Sequence, residues 1–253
     1  MKIEQDKYRR DLSEYKKIAK FDSTLVENMS ILSSMDNYYK WIGKIMGKYV
    51  GKRVLEIGCA NGNLTQMFLN REFIMGTDYS RNYLKQIQKR FKDVKNLKFA
   101  FFDATDRKSA IELKKYNFDT VVTMNTFEHI DNDVLALKNA YEALEKKGRI
   151  VMVVPAMNFL YSILDYEGGH YRRYTKRELA EKLKSAGFTV EKKFYINLPG
   201  AIGWYFSCVL MKKRIYSKSS FKLYNALVPL FSVLEKIFPI PFGLSVVCVA
   251  RKD

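Results

Sequence analysis

A glycine-containing turn after a short apolar run is the feature of the sequence best suited to holding a ligand. Glu56 lies in the run 54–57, and Gly58, Ala60 and Gly62 follow at alternate positions. A buried strand that ends in such a turn presents backbone N–H groups to a ligand, so the segment predicts a nucleotide-type site. The dinucleotide fingerprint needs its third glycine one position after Gly62, where this chain has asparagine. The spacing therefore argues against a dinucleotide.

Two carboxylates and an amide fall at the ends of three later apolar runs, at Asp78, Asp103 and Asn125. Asp78 follows Glu56 by 22 residues, a spacing that suits a β-α-β unit, and its carboxylate can accept both hydroxyl groups of a ribose. Asp103 can accept the exocyclic amine of adenine. Each residue alone is ordinary, because Asp is common at helix caps. Their joint occurrence, in order, predicts a nucleoside site at the carboxyl edge of a parallel sheet.

The chain has two histidines, His129 and His170, and both are predicted to lie in loops near the same edge. Imidazole is the side chain best suited to act as a general base near neutral pH. We therefore consider both residues as catalytic candidates, with His170 preferred. Isolated histidines and scattered carboxylates lack the spacing of metal ligands, so no metal site is predicted.

The loop that contains His170 is predicted to contact the substrate. Its candidate residues are Tyr171, Arg172, Arg173 and Tyr174. Two arginines beside a histidine suit an anionic acceptor such as a phosphate, a carboxylate or an acidic sugar. An alternative interpretation is that the arginines tie the loop to acidic residues such as Asp165 or Glu167.

Alternating strand and helix patterns surround these residues and predict an α/β fold with a mostly parallel sheet. Strands are predicted at 52–57, 73–77, 97–102, 118–124, 149–154, 188–196 and 244–250. Helices are predicted at 36–47, 63–70, 81–91, 106–115, 132–145 and 176–185. Ser80 and Asp131 are predicted N-caps, and Thr175 with Glu178 forms a capping box.

Several of these segments together resemble the class I S-adenosylmethionine (SAM) dependent methyltransferase superfamily, in its small-molecule branch. They are residues 54–64, Asp78, Asp103-Ala104 and 118–133. The superfamily's first motif is E/D-x-G-x-G-x-G, and this chain has alanine at position 60. The resemblance covers roughly residues 35–196. Residues 165–175, 186–188, 197–204 and 241–245 are similar to bacterial methyltransferases associated with cell-surface polysaccharide or lipid-linked glycan synthesis.

The resemblance implies a Rossmann-like sheet of seven strands with helices on both faces, in which the last strand is antiparallel and enters between strands five and six. It implies SAM as the cofactor, S-adenosylhomocysteine (SAH) as the product, and an oxygen, or less strongly a nitrogen, of a small or lipid-linked glycan-type acceptor. The cofactor-binding residues on this interpretation are Glu56, Gly58, Cys59, Ala60, Gly62, Asp78, Tyr79, Asp103, Ala104, Asn125 and Thr126. In the family a histidine at position 129 more often shapes the cofactor pocket.

Residues 198–240 depart from the simplest version of this fold, which joins the last two strands by a short hairpin. The domain organisation predicted is an N-terminal helical segment (1–50), a core (51–197 with 241–253) and a helical insert (198–240). The insert is rich in aromatic and basic residues, and its run 195–211 carries no charge. It is either a lid that shapes the substrate pocket or an element of the membrane interface, and the two are compatible for a lipid-linked acceptor.

The net charge of the 253-residue chain is +17, and residues 170–253 hold 16 basic against 5 acidic residues. Such a bias suits an anionic membrane surface or nucleic acid, although a lysine-rich composition would give it without a partner. The strand-four sequence Asn125-Thr-Phe-Glu lacks the N/D-P-P-Y/F tetrad of amino-methylating nucleic-acid enzymes, so nucleic acid is disfavoured. RNA methyltransferase and catalytically silent scaffold remain the alternative functions.

Three widely spaced cysteines form neither a metal motif nor a disulfide framework, and the chain opens without an apolar leader. These features predict a cytoplasmic protein, with peripheral attachment to the inner face of the membrane if the insert is interfacial.

Overall fold

The computed structural model describes residues 30–214, 217–238 and 240–253, and its centre is one seven-stranded sheet. The strands are β1 (Arg53–Ile57), β2 (Phe73–Asp78), β3 (Leu97–Phe101), β4 (Phe118–Met124), β5 (Leu144–Pro155), β6 (Thr189–Ile196) and β7 (Ser245–Arg251). Their order is β3-β2-β1-β4-β5-β7-β6, and β7 is antiparallel to both of its neighbours. The predicted fold class, with the last strand between the fifth and sixth, is confirmed.

Eight α-helices lie wholly within the described residues, at α1 (Asp36–Met46), α2 (Arg81–Arg90), α3 (Arg107–Leu113), α4 (Asp133–Ala143), α5 (Ile163–Glu167), α6 (Lys176–Ser185), α7 (Leu198–Trp204) and α8 (Lys218–Ile237), and residues 30–33 are also helical. Short 3-10 turns occupy Thr65–Phe68, Lys114–Tyr116, Phe127–His129 and Asn158–Leu160, and a π-helical turn spans Tyr205–Leu210. Residues 1–29, most of the predicted N-terminal helical segment, lie outside the described residues.

The helix predicted at 63–70 is wrong, because only the 3-10 turn Thr65–Phe68 forms there. The Asn61 side chain accepts a hydrogen bond from the Asn63 amide at 3.3 Å, and such local bonding competes with helix formation. Asp131 is also not the cap of α4, since Asn132 Oδ1 accepts from the Leu135 amide at 3.1 Å.

Two predicted N-terminal signals of helices are confirmed. Ser80 accepts from the Tyr83 amide at the start of α2, and Thr175 and Glu178 exchange the two hydrogen bonds of a capping box at the start of α6.

Helices cover both faces of the sheet, and the two faces form separate apolar clusters. On one face, Leu137 of α4 and Leu183 of α6 belong to the same buried cluster as Phe118 of β4. On the other, Ile42 of α1 and Val228 of α8 are buried with β-strand residues of the second cluster. The insert therefore supplies part of the cover of the second face.

Polar contacts fix the long helix α8 to its neighbours. The Asn225 side chain accepts from the Tyr38 amide at 3.2 Å, and its backbone carbonyl accepts from Asn37 Nδ2 at 3.0 Å. The Glu235 carboxylate accepts from the backbone amides of Asn197 and Leu198 at 2.9 and 2.8 Å. Because Leu198 begins α7, Glu235 ties the two helices of the insert together.

Helix α8 is apolar both on the side that packs against the protein and on an exposed flank. Tyr224, Val228 and Phe231 face the protein, while Leu227 and Leu234 are 38% and 43% exposed. The spacing of these five residues in the sequence predicts a single buried helical face, and the exposure of Leu227 and Leu234 departs from that prediction. No helix within the described ranges is both long and apolar enough to cross a membrane.

The packing of α8 predicts a contrast between two of its apolar residues. Val228→Ala removes buried methyl groups and should lower the free energy of unfolding by about 2 kcal/mol. Leu230→Ala, at a position 55% exposed, should change it by less than about 0.5 kcal/mol. Urea unfolding of both variants tests this, and equal effects would show that α8 does not pack through Val228.

Candidate active site

The turn after β1 is shaped by two glycines with left-handed backbone conformations. Gly58 has φ +81°, and a Cβ atom there would overlap the Thr126 side chain. Gly62 has φ +82°, and a Cβ atom there would lie 2.6 Å from the Phe91 ring of the adjoining segment. The amides of Gly58 and Cys59 both donate to the Thr77 carbonyl, at 2.8 and 2.9 Å. The loop is therefore held directly against the end of β2.

Asp78 connects this loop to the second strand. Its carboxylate accepts from the Ala60 amide at 2.9 Å and from the Ser80 amide at 2.7 Å. Ala60 has φ +41°, a conformation that glycine adopts more easily, which explains why the resembling motif has glycine there. A carboxylate oxygen has two lone pairs, so Asp78 can still accept hydroxyl groups of a ligand.

Glu56 lies beneath the loop rather than in it. The side chain is buried, and Oε2 accepts from the Thr65 hydroxyl at 2.6 Å, whereas Oε1 has no partner among the described residues. Burial raises the pKa of Glu56 to about 8; the Thr65 hydrogen bond opposes the shift and the charge of Asp78 adds to it. Because one oxygen of this buried carboxyl has no hydrogen-bond partner, it can still form a hydrogen bond to a bound ligand.

The end of β3 and the residue after β2 form the adjoining wall. Asp103 Oδ1 accepts from the amide and hydroxyl of Thr105 at 2.8 and 2.7 Å, and Ala104 is buried. Tyr79 is 63% exposed, and its ring centroid lies 5.6 Å from that of Phe101. These two aromatic rings form an accessible apolar surface next to the two aspartates.

The segment after β4 completes the arrangement. Asn125 is exposed at φ +50°, and its amide donates to the Val153 carbonyl at 2.9 Å. The Thr126 hydroxyl lies 3.3 Å from the Ile57 carbonyl, beside Gly58. All the predicted cofactor residues thus lie at the carboxyl ends of β1 to β4, which are neighbours in the sheet.

His170 is held by a buried ion pair. Its Nδ1 lies 2.8 Å from Asp165 Oδ1, and Arg173 binds both Asp165 oxygens through Nε and Nη2 at 2.9 and 3.0 Å. Burial opposes the ionisation of Asp165, but Arg173 and His170 outweigh it and lower the pKa of Asp165 to about 2. The guanidinium of Arg173 also lies 4.8 Å from the centroid of Trp204.

Glu128 and His129 form the opposite side of this cluster, and the His129 and His170 ring centroids are 4.6 Å apart. Glu128 is fully buried, and burial raises its pKa to about 7 against the opposing charge of His170. Desolvation and the charge of His170 lower the pKa of His129 to about 3. Part of the His129 side chain is nonetheless exposed at the surface. Glu128 is not among the site residues predicted from the sequence. The signal that could have identified it is its position next to His129.

The remaining loop residues divide into anchoring and accessible groups. Arg173 binds Asp165, as the alternative interpretation of the loop arginines predicts. The buried Tyr174 hydroxyl donates to Asp133 Oδ2 at 2.9 Å. Arg172 donates to the Ile130 carbonyl at 2.9 Å and pairs with Asp133. Arg173 and Tyr174 therefore position the loop and have no free polar face for a substrate, whereas Tyr171 and Arg172 are partly exposed.

The Glu56 site predicts a pH-dependent stability in the absence of ligand. The folded pKa of about 8 lies above the unfolded value near 4.5, so the unfolded chain loses this proton first and stability falls between those pH values. Glu56→Gln should remove up to about 1.4 kcal/mol of this decrease per pH unit. Urea unfolding at several pH values measures it, with the exposed Glu112→Gln as control. Parallel wild-type and Glu56→Gln curves would contradict the assignment.

Comparison with known proteins is consistent with this geometry. Residues 55–150 match a protein family described as a methyltransferase domain. An uncharacterized protein of Haemophilus influenzae is 28% identical over 105 residues, which are 40% of this chain and 41% of that protein. The match thus spans less than half of that relative.

Solved structures share the fold at low sequence identity. A chain of the complex between the Haloferax volcanii Trm112 methyltransferase activator and a putative methyltransferase aligns with TM-score 0.60 and 14% identity, covering 92% of this chain and 97% of its own. The trans-methyltransferase CalH in complex with SAH aligns with TM-score 0.55 and 16% identity, covering 86% and 59%. Residues 55–150 therefore carry a methyltransferase domain, and the seven-stranded sheet that contains them has the fold of these methyltransferase structures.

Proposed function

We propose that the protein transfers the sulfonium methyl group of SAM to an oxygen, or with less support a nitrogen, of a small or lipid-linked glycan-type acceptor. The observation that carries the proposal is the convergence of the Gly58–Gly62 loop, Asp78, Asp103 and Asn125 at one sheet edge within a methyltransferase domain. SAH bound to the structural neighbour CalH supports the choice of cofactor.

Each part of SAM has a matching group in this arrangement. Asp78 would accept hydrogen bonds from the ribose hydroxyls, and Asp103 would accept one from the adenine amine. The loop backbone from Gly58 to Gly62 would hold the methionine part, and Asn125 and Thr126 would hold the end that carries the sulfonium. Glu56, Cys59 and Ala104 are buried, so they support the loop and pocket wall from behind.

Methyl transfer is an in-line displacement at a carbon that the sulfonium already activates. The protein has to align the nucleophile with the methyl group and exclude water. An acceptor hydroxyl must also lose its proton as it attacks. His170, with His129 beside it, is the proposed group for that task, because Asp165 fixes the orientation of its ring.

The contacts of the insert support an acceptor site next to His170. Trp204 donates from Nε1 to the Leu160 carbonyl at 2.9 Å and stacks on Arg173. Arg214 pairs with Glu167 at 3.3 Å. These contacts join the insert to the loop that carries His170, so the insert borders the site that the acceptor would occupy. The partly exposed Arg172 and Tyr171 suit an acceptor with an anionic group.

The exposed surface of the insert supports access to a lipid-linked acceptor. Its exposed apolar residues are Ile202, Tyr205, Phe206, Leu210, Met211, Leu223, Leu227, Leu230, Val233, Leu234, Ile237 and Phe238. Exposed Lys212, Lys213, Lys222 and Lys236 accompany them. A contiguous apolar surface with lysines beside it suits the interface of an anionic membrane, with apolar side chains inserted and lysines near lipid phosphates.

Loss of the ribose acceptor should weaken cofactor binding. Asp78→Ala removes two hydrogen bonds to a charged acceptor and should lower the affinity for SAM and SAH roughly 100-fold. Isothermal calorimetry measures this, with the exposed Asp93→Ala as matched control. Unchanged affinity in Asp78→Ala would remove Asp78 from the site, and no heat with the wild type would refute the proposed function.

The insert should bind anionic vesicles. We expect the protein to co-sediment with phosphatidylglycerol-containing vesicles and not with neutral ones. Leu223→Asp combined with Leu230→Asp places two charges on the exposed side of α8 and should reduce the bound fraction at least about tenfold. Ile111→Asp, at another exposed apolar position on α3, is the control. Failure of the wild-type protein to sediment would end the membrane proposal.

A further inference from the structure

Three potential metal ligands converge beside the proposed acceptor site. Glu128, His129 and His170 each offer one ligand atom, and these atoms lie within 4.8 Å of one another. Glu128 and His129 are adjacent on the 3-10 turn after β4, whereas His170 comes from the loop after α5. The Tyr171 amide donates to the Glu128 carbonyl at 2.8 Å, which fixes the loop against the turn.

The carboxylate of Glu128 needs a partner that the described part of the chain does not provide. The residue is 0% exposed, and neither Oε1 nor Oε2 has a hydrogen-bond partner among the described residues. The nearby guanidinium of Arg173 is already committed to Asp165 through two hydrogen bonds. A buried carboxylate without a partner is costly, so a positive species at this position would stabilise it.

The His170 ring is oriented as the ring of a metal ligand usually is. Metal-binding histidines commonly direct the second ring nitrogen to a carboxylate or a backbone carbonyl, which fixes the ring and raises its basicity. His170 directs Nδ1 to Asp165 at 2.8 Å, and Arg173 holds that carboxylate in place. His170 therefore keeps Nε2 for the space next to Glu128, and a ring nitrogen of His129 lies within 4.8 Å of the other donor atoms.

We propose that Glu128, His129 and His170 form a binding site for one divalent first-row transition-metal ion, with Zn²⁺ as the fitting ion. Two imidazole nitrogens and a carboxylate oxygen are a donor set that Zn²⁺ accepts, and three protein ligands leave a coordination position open. His129 is exposed on a short turn, so it can move the short distance that brings the donors to ligand range. The sequence predicts no metal here, because spacing along the chain does not reveal a site assembled from two separate loops.

The proposed ion gives the acceptor site a specific chemistry, and this consequence rests on the proposed methyl transfer. The coordination position that the three protein ligands leave open can bind an acceptor hydroxyl. Coordination lowers the pKa of a bound hydroxyl. Its proton leaves to solvent, the new O–CH3 bond forms, and the CH3–S bond breaks to release the neutral thioether. In the metal-bound form the two histidines act as ligands instead of bases.

Metal binding can be measured without an acceptor or any activity. Protein carrying no polyhistidine tag is dialysed against chelator and titrated with Zn²⁺ in competition with a chromophoric chelator. We expect one Zn²⁺ per chain, and a visible absorption spectrum when Co²⁺ replaces Zn²⁺. His129→Ala and Glu128→Gln should each weaken Zn²⁺ binding by at least about tenfold. Asp131→Asn, whose side chain is 78% exposed beside the cluster, should bind as the wild type does.

Two results would overturn the assignment. Absence of Zn²⁺ and Co²⁺ binding by the wild type is the first. The second is wild-type Zn²⁺ affinity in folded His129→Ala, which would move the ion to one of the buried cysteines. His129→Ala is the decisive variant, because removing an exposed side chain leaves the core intact. SAM calorimetry on the same samples separates this outcome from failure of the proposed function: retained SAM binding without metal binding overturns the metal site alone.

Discussion

The turn at Gly58 is the constraint on which the candidate site depends. After β1 the backbone takes a left-handed conformation at Gly58. The side chain of Thr126, which follows the neighbouring strand β4, leaves no room for a Cβ atom at that position. The amides of Gly58 and Cys59 then bind the end of β2. One residue thus joins three adjacent strands at their carboxyl ends. Because the ligand-binding edge of an open α/β sheet is assembled from such ends, the position of every cofactor-side residue follows from this turn.

A second interaction, the ion pair of Asp165 and Arg173, holds the loop that is proposed to bind the acceptor. The buried pair of Asp165 and Arg173 has both carboxylate oxygens occupied, and Arg173 also contacts Trp204 of the insert. A pair of this kind is worth little net stability, because desolvation opposes the attraction of the charges. Its effect is geometric: it fixes His170 and connects the loop to α7. The loop that carries His170 is consequently fixed to α7 of the insert.

The insert shows how one helix can serve two surfaces. One side of α8 covers the sheet through Val228 and binds α7 through Glu235, while the other exposes a row of leucines. A helix that is apolar all round is normally buried. Here one side completes the core, and another side exposes the apolar residues of the proposed membrane contact.

Local patterns determined the strand positions, the order of α/β alternation and the polar residues at the strand ends, because hydrophobic periodicity and strand-end carboxylates are properties of contiguous segments. The resemblance supplied the place of the last strand. Tertiary structure alone decided which arginine is buried, since Arg172 and Arg173 are equivalent as sequence and differ only in what packs around them. It also decided that Glu128 and His129 meet His170, because two separate loops come together only when β4 and β5 pair. The two sides of α8 were likewise indistinguishable by periodicity, since both are apolar and only packing selects one.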